Sequence, residues 1–260
     1  LDVAGLIRDF LTMGLDDAIL AREDAFERRG RASRVDELIF NQMADRFELA
    51  SELEIPPDLD QSATNGRYNV ARYEVAFGKD PGNGELTIIS EALWLCSKPL
   101  RRPRPPLQLF PVEPTPPKSL LTVRAQKGWL KVVSKTESGN DYFHSEIGKW
   151  NSNSRIGPRK AALTYLHQDE KRFPIALWVR IVLMEGIHVL ALNSAAMRRP
   201  SSPSASRAFR VDGSNLPLVV RDFHNQHEEI FKDWVEHIRT VLPDVQTIDV
   251  VERPEDRQNY

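Results

Sequence analysis

The sequence predicts a mixed α/β protein, an α+β chain in which an antiparallel β-subdomain precedes an α/β segment and a pair of helices. Three patterns predict this order. Apolar and acidic residues alternate from Phe47 to Ile55, which is the period of a half-buried strand. The glycine-rich turn at 79–84 separates two apolar runs, as in a β-hairpin. Apolar side chains recur every four residues from Ile230 to Leu242, which is typical of an amphipathic helix.

The first domain is predicted over residues 1–45 and is mainly helical. An apolar stripe runs through its first eleven residues, with Leu1, Ala4, Ile7, Phe10 and Leu11 as its members. No N-cap is evident ahead of this stripe, so the chain is expected to start inside a helix and to be a middle slice of a longer protein. Residues 16–34 are expected to form a second, charged helix with a loop at Gly30.

The second domain is the β-subdomain, predicted over residues 46–157. Its strands are expected at 47–55, 73–77, 86–95, 120–125, 129–134 and 142–145. Eight of the nineteen residues from 99 to 117 are proline, which excludes regular helix or sheet there. We interpret this segment as an inserted rigid spacer, with a ligand for SH3 or WW domains as the alternative.

The third domain is predicted over residues 158–260. Its helices are expected at 158–166 and 174–185, its strands at 187–192 and 245–251, and a mobile loop at 194–208. Ser214 is the expected N-cap of the first helix of the C-terminal pair, because a hydroxyl can accept one of the unpaired helix amides and Pro217 fits the first turn.

Charge is distributed unevenly along the chain. Residues 96–160 carry 13 Lys or Arg against 4 Asp or Glu, whereas residues 1–60 carry 7 against 15. A basic region of this kind is typical of nucleic-acid binding, and equally of a solvated mixed-charge surface. Aromatic residues lie among its cations, and Lys127, Lys131 and Lys135 are the candidate phosphate contacts.

Composition argues against secretion and against membrane insertion. Cys96 is the single cysteine, so no intramolecular disulfide can form, and a reducing cytoplasmic location is expected. The longest apolar run, from Ile175 to Met184, is interrupted by Arg180 and is too short to span a bilayer. We therefore expect no membrane segment.

Two stretches carry a resemblance to a known family. The first is Ser206–Val251, where D-G-S-N-L at 212–216 precedes the helical pair. The second is the hairpin sequence 68–95, with its Glu91-Ala92-Leu93 step. Both are similar to RecF/SMC-like, ABC-type AAA ATPases, the "AAA family ATPase" group. The resemblance implies an ATPase head fragment, with the phosphate loop upstream of Leu1 and the signature motif after Tyr260.

The resemblance also implies ATP and Mg²⁺ as cofactors of the complete protein. It implies a homodimer of heads that sandwich ATP, and a role in DNA repair, DNA transactions or defence, with DNA and a nuclease as possible partners. The family usually places a Gln after the core strand to sense Mg²⁺ and phosphate. This chain has Asn193 there, followed by Ser194 and Arg198, and these three are the candidate nucleotide contacts.

No catalytic residue is predicted within these residues. The sequence contains no G-x-x-x-x-G-K-[ST] phosphate loop, no paired acids ending an apolar strand, and no signature motif, so this slice is expected to lack ATPase activity. His224 and His227 lack an H-E-x-x-H arrangement, so no metal site is predicted. The alternative function is a non-enzymatic nucleic-acid or protein-binding α+β module that uses the basic region 96–160.

Overall fold

The computed structural model describes residues 2–20, 31–39, 44–80, 82–97, 117–136, 140–188, 190–202 and 204–251. The chain divides into two compact units, Leu1–Ile187 and His188–Tyr260. This boundary lies later than residue 158, where the sequence places the start of the third domain. The Pro-rich segment 99–116 and residues 21–30 of the expected second helix lie outside the described residues.

The first unit is an antiparallel sheet with helices. Its helices are α1 (Val3–Met13), α2 (Leu15–Ile19), α3 (Pro57–Thr64) and α4 (Pro174–Glu185). Its strands are β1 (Arg46–Glu54), β2 (Val70–Lys79), β3 (Leu86–Cys96), β4 (Leu130–Thr136), β5 (Asp141–His144) and β6 (Asn151–Ser154). The mixed α+β class is therefore observed.

The six strands pair in chain order, each antiparallel to the next. The hairpin of β2 and β3 closes at the predicted turn, where the side chain of Asp80 accepts hydrogen bonds from the amides of Gly82 and Asn83. Strand pairing is offset once in β2–β3 and once in β3–β4, and each irregularity changes which residues face inward. The strands expected at 47–55, 73–77, 86–95, 129–134 and 142–145 are confirmed.

The main core lies on one face of the sheet, beneath α1 and α4. Alternate residues of β2, namely Tyr73, Val75 and Phe77, are fully buried there. Phe10 of α1 meets Phe77 edge to face at 4.9 Å between ring centroids. Because side chains of a strand alternate between faces, this core uses only half of each strand's residues.

The helix α1 has a side-chain cap, contrary to the expectation. The carboxylate of Asp2 accepts a hydrogen bond from the amide of Gly5 at 3.0 Å, which is N-cap geometry. The second helix is also shorter than expected, because the carbonyl of Ile19 accepts the amides of Arg31 and Ala32 instead of continuing a helical ladder. The described residues 31–34 are therefore not helical.

The expected helix at 158–166 is replaced by turns and a short 3₁₀ helix, Leu163–Tyr165. The cause is that backbone groups of this segment form hydrogen bonds with the sheet instead of with one another. The carbonyl of Pro158 accepts the amide of Ile88 at 2.9 Å, and the buried carboxylate of Glu91 accepts the amides of Ala162 and Leu163 at 2.6 and 2.9 Å.

The expected strand at 120–125 is also absent, because carboxylates on the outer face of the sheet take its amides. Glu48 accepts the amide of Leu120 at 2.6 Å, and Glu74 accepts the amide and hydroxyl of Thr122 at 2.8 and 2.5 Å. This segment therefore runs across the outer face of the sheet and does not pair with its strands.

The second unit contains α5 (Ser194–Met197), α6 (Leu216–Gln226) and α7 (Glu228–Arg239). The expected C-terminal helical pair is confirmed as α6 and α7, which share a small core of Val220, Phe231 and Val235. The observed cap position of α6 is Asn215, one residue after the expected Ser214.

Neither strand expected in the C-terminal part is formed in the described residues. In 187–192, the amide of Ala191 reaches only the carbonyl of Val211, so pairing there is limited. In 245–251, the guanidinium of Arg239 takes the carbonyls of Val245 and Gln246, while Ile248 packs against the helical pair. Among the helices described, none has the length and apolar character required to cross a membrane.

Candidate functional site

In the second unit, the candidate nucleotide contacts at 193–198 lie next to the D-G-S-N-L turn at 212–216, which precedes the helical pair. The amide of Asn193 donates to the carbonyl of Asp212 at 3.0 Å, and the amide of Ala191 donates to the carbonyl of Val211 at 3.0 Å. We call residues 190–198 and 206–216 the junction. The D-G-S-N-L turn therefore lies directly beside the candidate nucleotide contacts.

Gly213 allows the two halves of the junction to approach closely. Its φ of +72° lies in the left-handed region, which favours glycine. A Cβ at this position would lie 2.9 Å from the side chain of Met197 and 3.2 Å from that of Leu192. The glycine is therefore required both by its backbone conformation and by packing.

Asn215 organises the loop that leads into α6. This side chain is 1% exposed, and its amide nitrogen donates to the carbonyls of Ser206 and Ala208 at 2.7 and 2.8 Å. Its oxygen accepts the amide of Arg210 at 2.9 Å. This role of Asn215 was not predicted from the sequence. The one indication in the sequence was that Asn is common in turns, where its short polar side chain can form hydrogen bonds with the nearby backbone.

The carboxamide of Asn193 acts as the N-cap of α5. Its Oδ1 accepts the amides of Ala195 and Ala196 at 3.0 and 3.1 Å. A carbonyl oxygen has two lone pairs, so this oxygen is fully used, while the NH₂ group retains donor capacity. Ser194 and Arg198 are exposed at the two ends of this short helix.

Charge at the junction is mixed. The amide of Ser214 donates to the carboxylate of Asp212, and this hydrogen bond lowers the pKa of Asp212. Arg210 lies 3.9 Å from the same carboxylate and is half exposed. Arg198 is exposed on the adjacent segment. The junction therefore presents donors and cations that suit an anion.

The three candidate lysines for nucleic acid have different surroundings. Lys127 is exposed in the turn before β4. The ammonium of Lys131 lies 4.5 Å from the ring centroid of Trp94, and burial lowers the pKa of this lysine. Lys135 is 2% exposed and donates to Asp141 at 2.9 Å and to the carbonyl of Gly157 at 2.7 Å. Lys135 therefore does not present a charge to a surface ligand, contrary to the expectation.

A buried polar network surrounds Lys135 and was not predicted from the sequence. Glu91 lies opposite Lys135 in the register of β3 and β4. Tyr73 donates to Glu91 at 2.9 Å, and Asp141 accepts the amide of Ile156 at 2.8 Å. Burial raises the pKa of Glu91, opposed by the hydrogen bonds from the amides of Leu163 and Ala162, by that from Tyr73, and by the charge of Lys135. The network fastens residues 156–163 to the sheet.

The aromatic residues that lie among these cations in the sequence also have structural contacts. Phe143 is fully buried, and Trp150 meets Phe173 edge to face while the guanidinium of Arg172 lies 4.5 Å from its centroid. Of this group, Tyr142 is 43% exposed. His224 stacks on Phe231 at 4.4 Å, which gives that histidine a packing role.

The comparisons with known proteins add no assignment. No family model matches the chain, and neither a curated protein nor a solved structure is similar to it. Within the described ranges, His, Cys, Asp and Glu side chains do not come together in groups of three that could hold a metal ion.

Proposed function

We propose that this chain is the interior part of an ABC-type ATPase head, within an ATP-binding and ATP-hydrolysing protein of DNA repair, DNA transactions or defence. The supporting observation is the junction. Asn193 and the D-G-S-N-L turn are distant in the sequence, were singled out for different reasons, and are joined by a backbone hydrogen bond. The order of helix, antiparallel sheet and helical pair is consistent with this proposal, whereas the core strand expected before Asn193 is not formed in the described residues.

The junction fits a phosphate better than a metal ion. The oxygen of Asn193, which would be the Mg²⁺-directed atom, already accepts two amides. The NH₂ group of Asn193 and the guanidinium of Arg198 are donors, and such donors bind phosphate oxygens. In this proposal, these two residues contact the phosphates of ATP, and Mg²⁺ is bound elsewhere in the complete protein. ATP would supply the energy for association and separation of two heads.

The test uses the protein expressed from its complete reading frame. That frame is expected to encode G-x-x-x-x-G-K-[ST] before Leu1 and paired acids after Tyr260. Arg198→Gln is expected to weaken ATP binding by about five- to tenfold, because one charge-assisted contact is lost. The matched control is Arg199→Gln, which removes the same charge from the neighbouring exposed residue. A frame without the phosphate loop, or equal effects of the two variants, contradicts the proposal.

The second candidate function is nucleic-acid binding by the outer face of the sheet. It is favoured by one arrangement, in which Lys131 lies over Trp94 and Trp94 meets Trp129 at 6.1 Å between centroids. Lys127 lies in the adjoining turn. Trp94 is only 5% exposed, so in this candidate function a base would stack on Trp129 while the two lysines contact phosphates.

Lys127→Glu tests this second function without disturbing the core. It is expected to weaken salt-dependent binding of single-stranded DNA, whereas Lys171→Glu, an exposed change elsewhere in the first unit, is the matched control. Lys135 is unsuitable for this test because its replacement would disrupt the buried network. Equal loss with both variants would show a general charge effect and would contradict a specific surface.

A further inference from the structure

A cleft of about 330 Å³ lies in the first unit, between the turn of the β2–β3 hairpin and the loop that follows β6. Three cations line it, Arg34, Lys79 and Arg159, together with the carboxylate of Glu85. Leu20 and Leu86 contribute its apolar surface. The three cations come from separate parts of the sequence, so the fold, and not a local run of basic residues, brings them together.

The backbone that carries Arg159 is held firmly. The preceding residue, Pro158, has a carbonyl that accepts the amide of Ile88 at 2.9 Å and the hydroxyl of Thr87 at 3.1 Å. The carbonyl of Gly157 accepts the ammonium of Lys135 from the buried network. Preorganisation of this kind reduces the entropy lost when a side chain binds a ligand.

The guanidinium of Arg159 is engaged by exchangeable partners. It contacts Asp16, and it donates to Glu85 at 2.9 Å. The side chains of these two acids are 44% and 59% exposed. Ion pairs at such exposure contribute little to stability, so an anion of higher charge can compete with them. The planar guanidinium suits two oxygens of one phosphate, and a lysine adds a point charge beside it.

We propose that this cleft binds a small phosphate-bearing ligand, with Arg159, Lys79 and Arg34 as the cationic contacts. The negative charge of Glu85 opposes the binding of anions in the cleft. The ion pair between Glu85 and Arg159 breaks when the phosphate binds. Leu20 and Leu86 contact the organic part of the ligand. The site belongs entirely to the first unit, and its occupancy is independent of the junction and of any phosphate loop.

The test is isothermal titration of the 260-residue chain with inorganic pyrophosphate and, separately, with glucose 6-phosphate at low ionic strength. Saturable one-site binding is expected. Lys79→Gln is expected to weaken it by about fivefold, the size of one exposed electrostatic contact. Glu85→Gln is expected to strengthen it, because an opposing negative charge is removed. Lys171→Gln, an exposed lysine outside the cleft, is the control for overall charge and should have no effect.

Opposite effects of Lys79→Gln and Glu85→Gln distinguish this site from a general response to charge. Tighter binding of the sugar phosphate supports an organic phosphate as the ligand, whereas tighter binding of pyrophosphate would contradict the contacts of Leu20 and Leu86 with an organic part. The proposal is overturned if neither probe saturates, if Lys171→Gln weakens binding as much as Lys79→Gln, or if only a DNA oligonucleotide binds. Urea unfolding of each variant shows whether it is folded, and Lys79 is exposed, so its change is expected to be tolerated.

Discussion

Lys135 of β4 and Asp141 of β5 form an ion pair inside the first unit, 2.9 Å apart, with side chains only 2% and 1% exposed. Each also binds the backbone of the loop that follows β6, at Gly157 and Ile156. A buried charge that loses its partner is strongly destabilising, because its desolvation is no longer compensated. This pair is therefore a structural fastening of the loop.

Lys135→Met is expected to lower the free energy of unfolding by about 3–5 kcal/mol, because Asp141 remains buried without its cation. Lys127→Met is the matched control, since Lys127 is exposed, and its effect should stay within about 0.5 kcal/mol. Urea unfolding followed by circular dichroism measures both. Similar small effects of the two changes would contradict the role of the pair.

Glu146 gives the fold a predicted pH dependence. Its carboxylate accepts the amides of Ile175 and Ala176 at the start of α4, at 2.8 and 2.7 Å. Burial raises its pKa to about 7, although these two hydrogen bonds lower it. The folded state then binds a proton that the unfolded state has already released, so this contribution to stability is complete below about pH 4.5 and is lost as pH rises through about 7.

Glu146→Gln removes this titration. From pH 5 to pH 8, the free energy of unfolding of the wild-type protein is expected to fall by roughly 1–3 kcal/mol relative to that of the variant. Urea unfolding at a series of pH values measures it. A difference that does not change with pH, or that changes in the opposite direction, would show that the two amide hydrogen bonds outweigh burial.

Gly213→Ala is expected to destabilise the junction. A non-glycine residue at its φ of +72° costs about 1–2 kcal/mol, and the new Cβ would also collide with Met197. Gly148→Ala separates the two causes, because Gly148 has a φ of +83° and open space around it. Hydrogen exchange measures the loss of protection around each site. Equal losses would mean that packing against Met197 contributes nothing.

Much of the sheet could be predicted because the relevant signals are local. The alternation in β1 and the glycine-rich turn after β2 specify strands from neighbouring residues alone. The helical pair follows for the same reason, because the four-residue repeat of Ile230 and Trp234 is visible without any tertiary information. Asp2 was also available as a cap, but it follows Leu1, which the apolar stripe already includes.

Two of the failures share a physical cause, which is competition from distant carboxylates for backbone amides. Glu91 takes amides from the expected helix at 158–166, and Glu74 takes the amide of Thr122 from an expected strand. The residues next to these segments in the sequence do not indicate that distant carboxylates would accept their amides. The same limit applies to Lys135, whose sequence surroundings resemble those of an exposed lysine although its ammonium lies in the core.

ATP-dependent dimerisation is the sharpest test of the proposed ATP-binding head. The protein from the complete reading frame is measured by light scattering, with and without ATP and Mg²⁺. We expect a monomer that becomes a dimer with ATP, and a weaker response of Arg198→Gln than of Arg199→Gln. An unchanged mass at saturating ATP, together with no ATP binding in a titration, would contradict the proposed function.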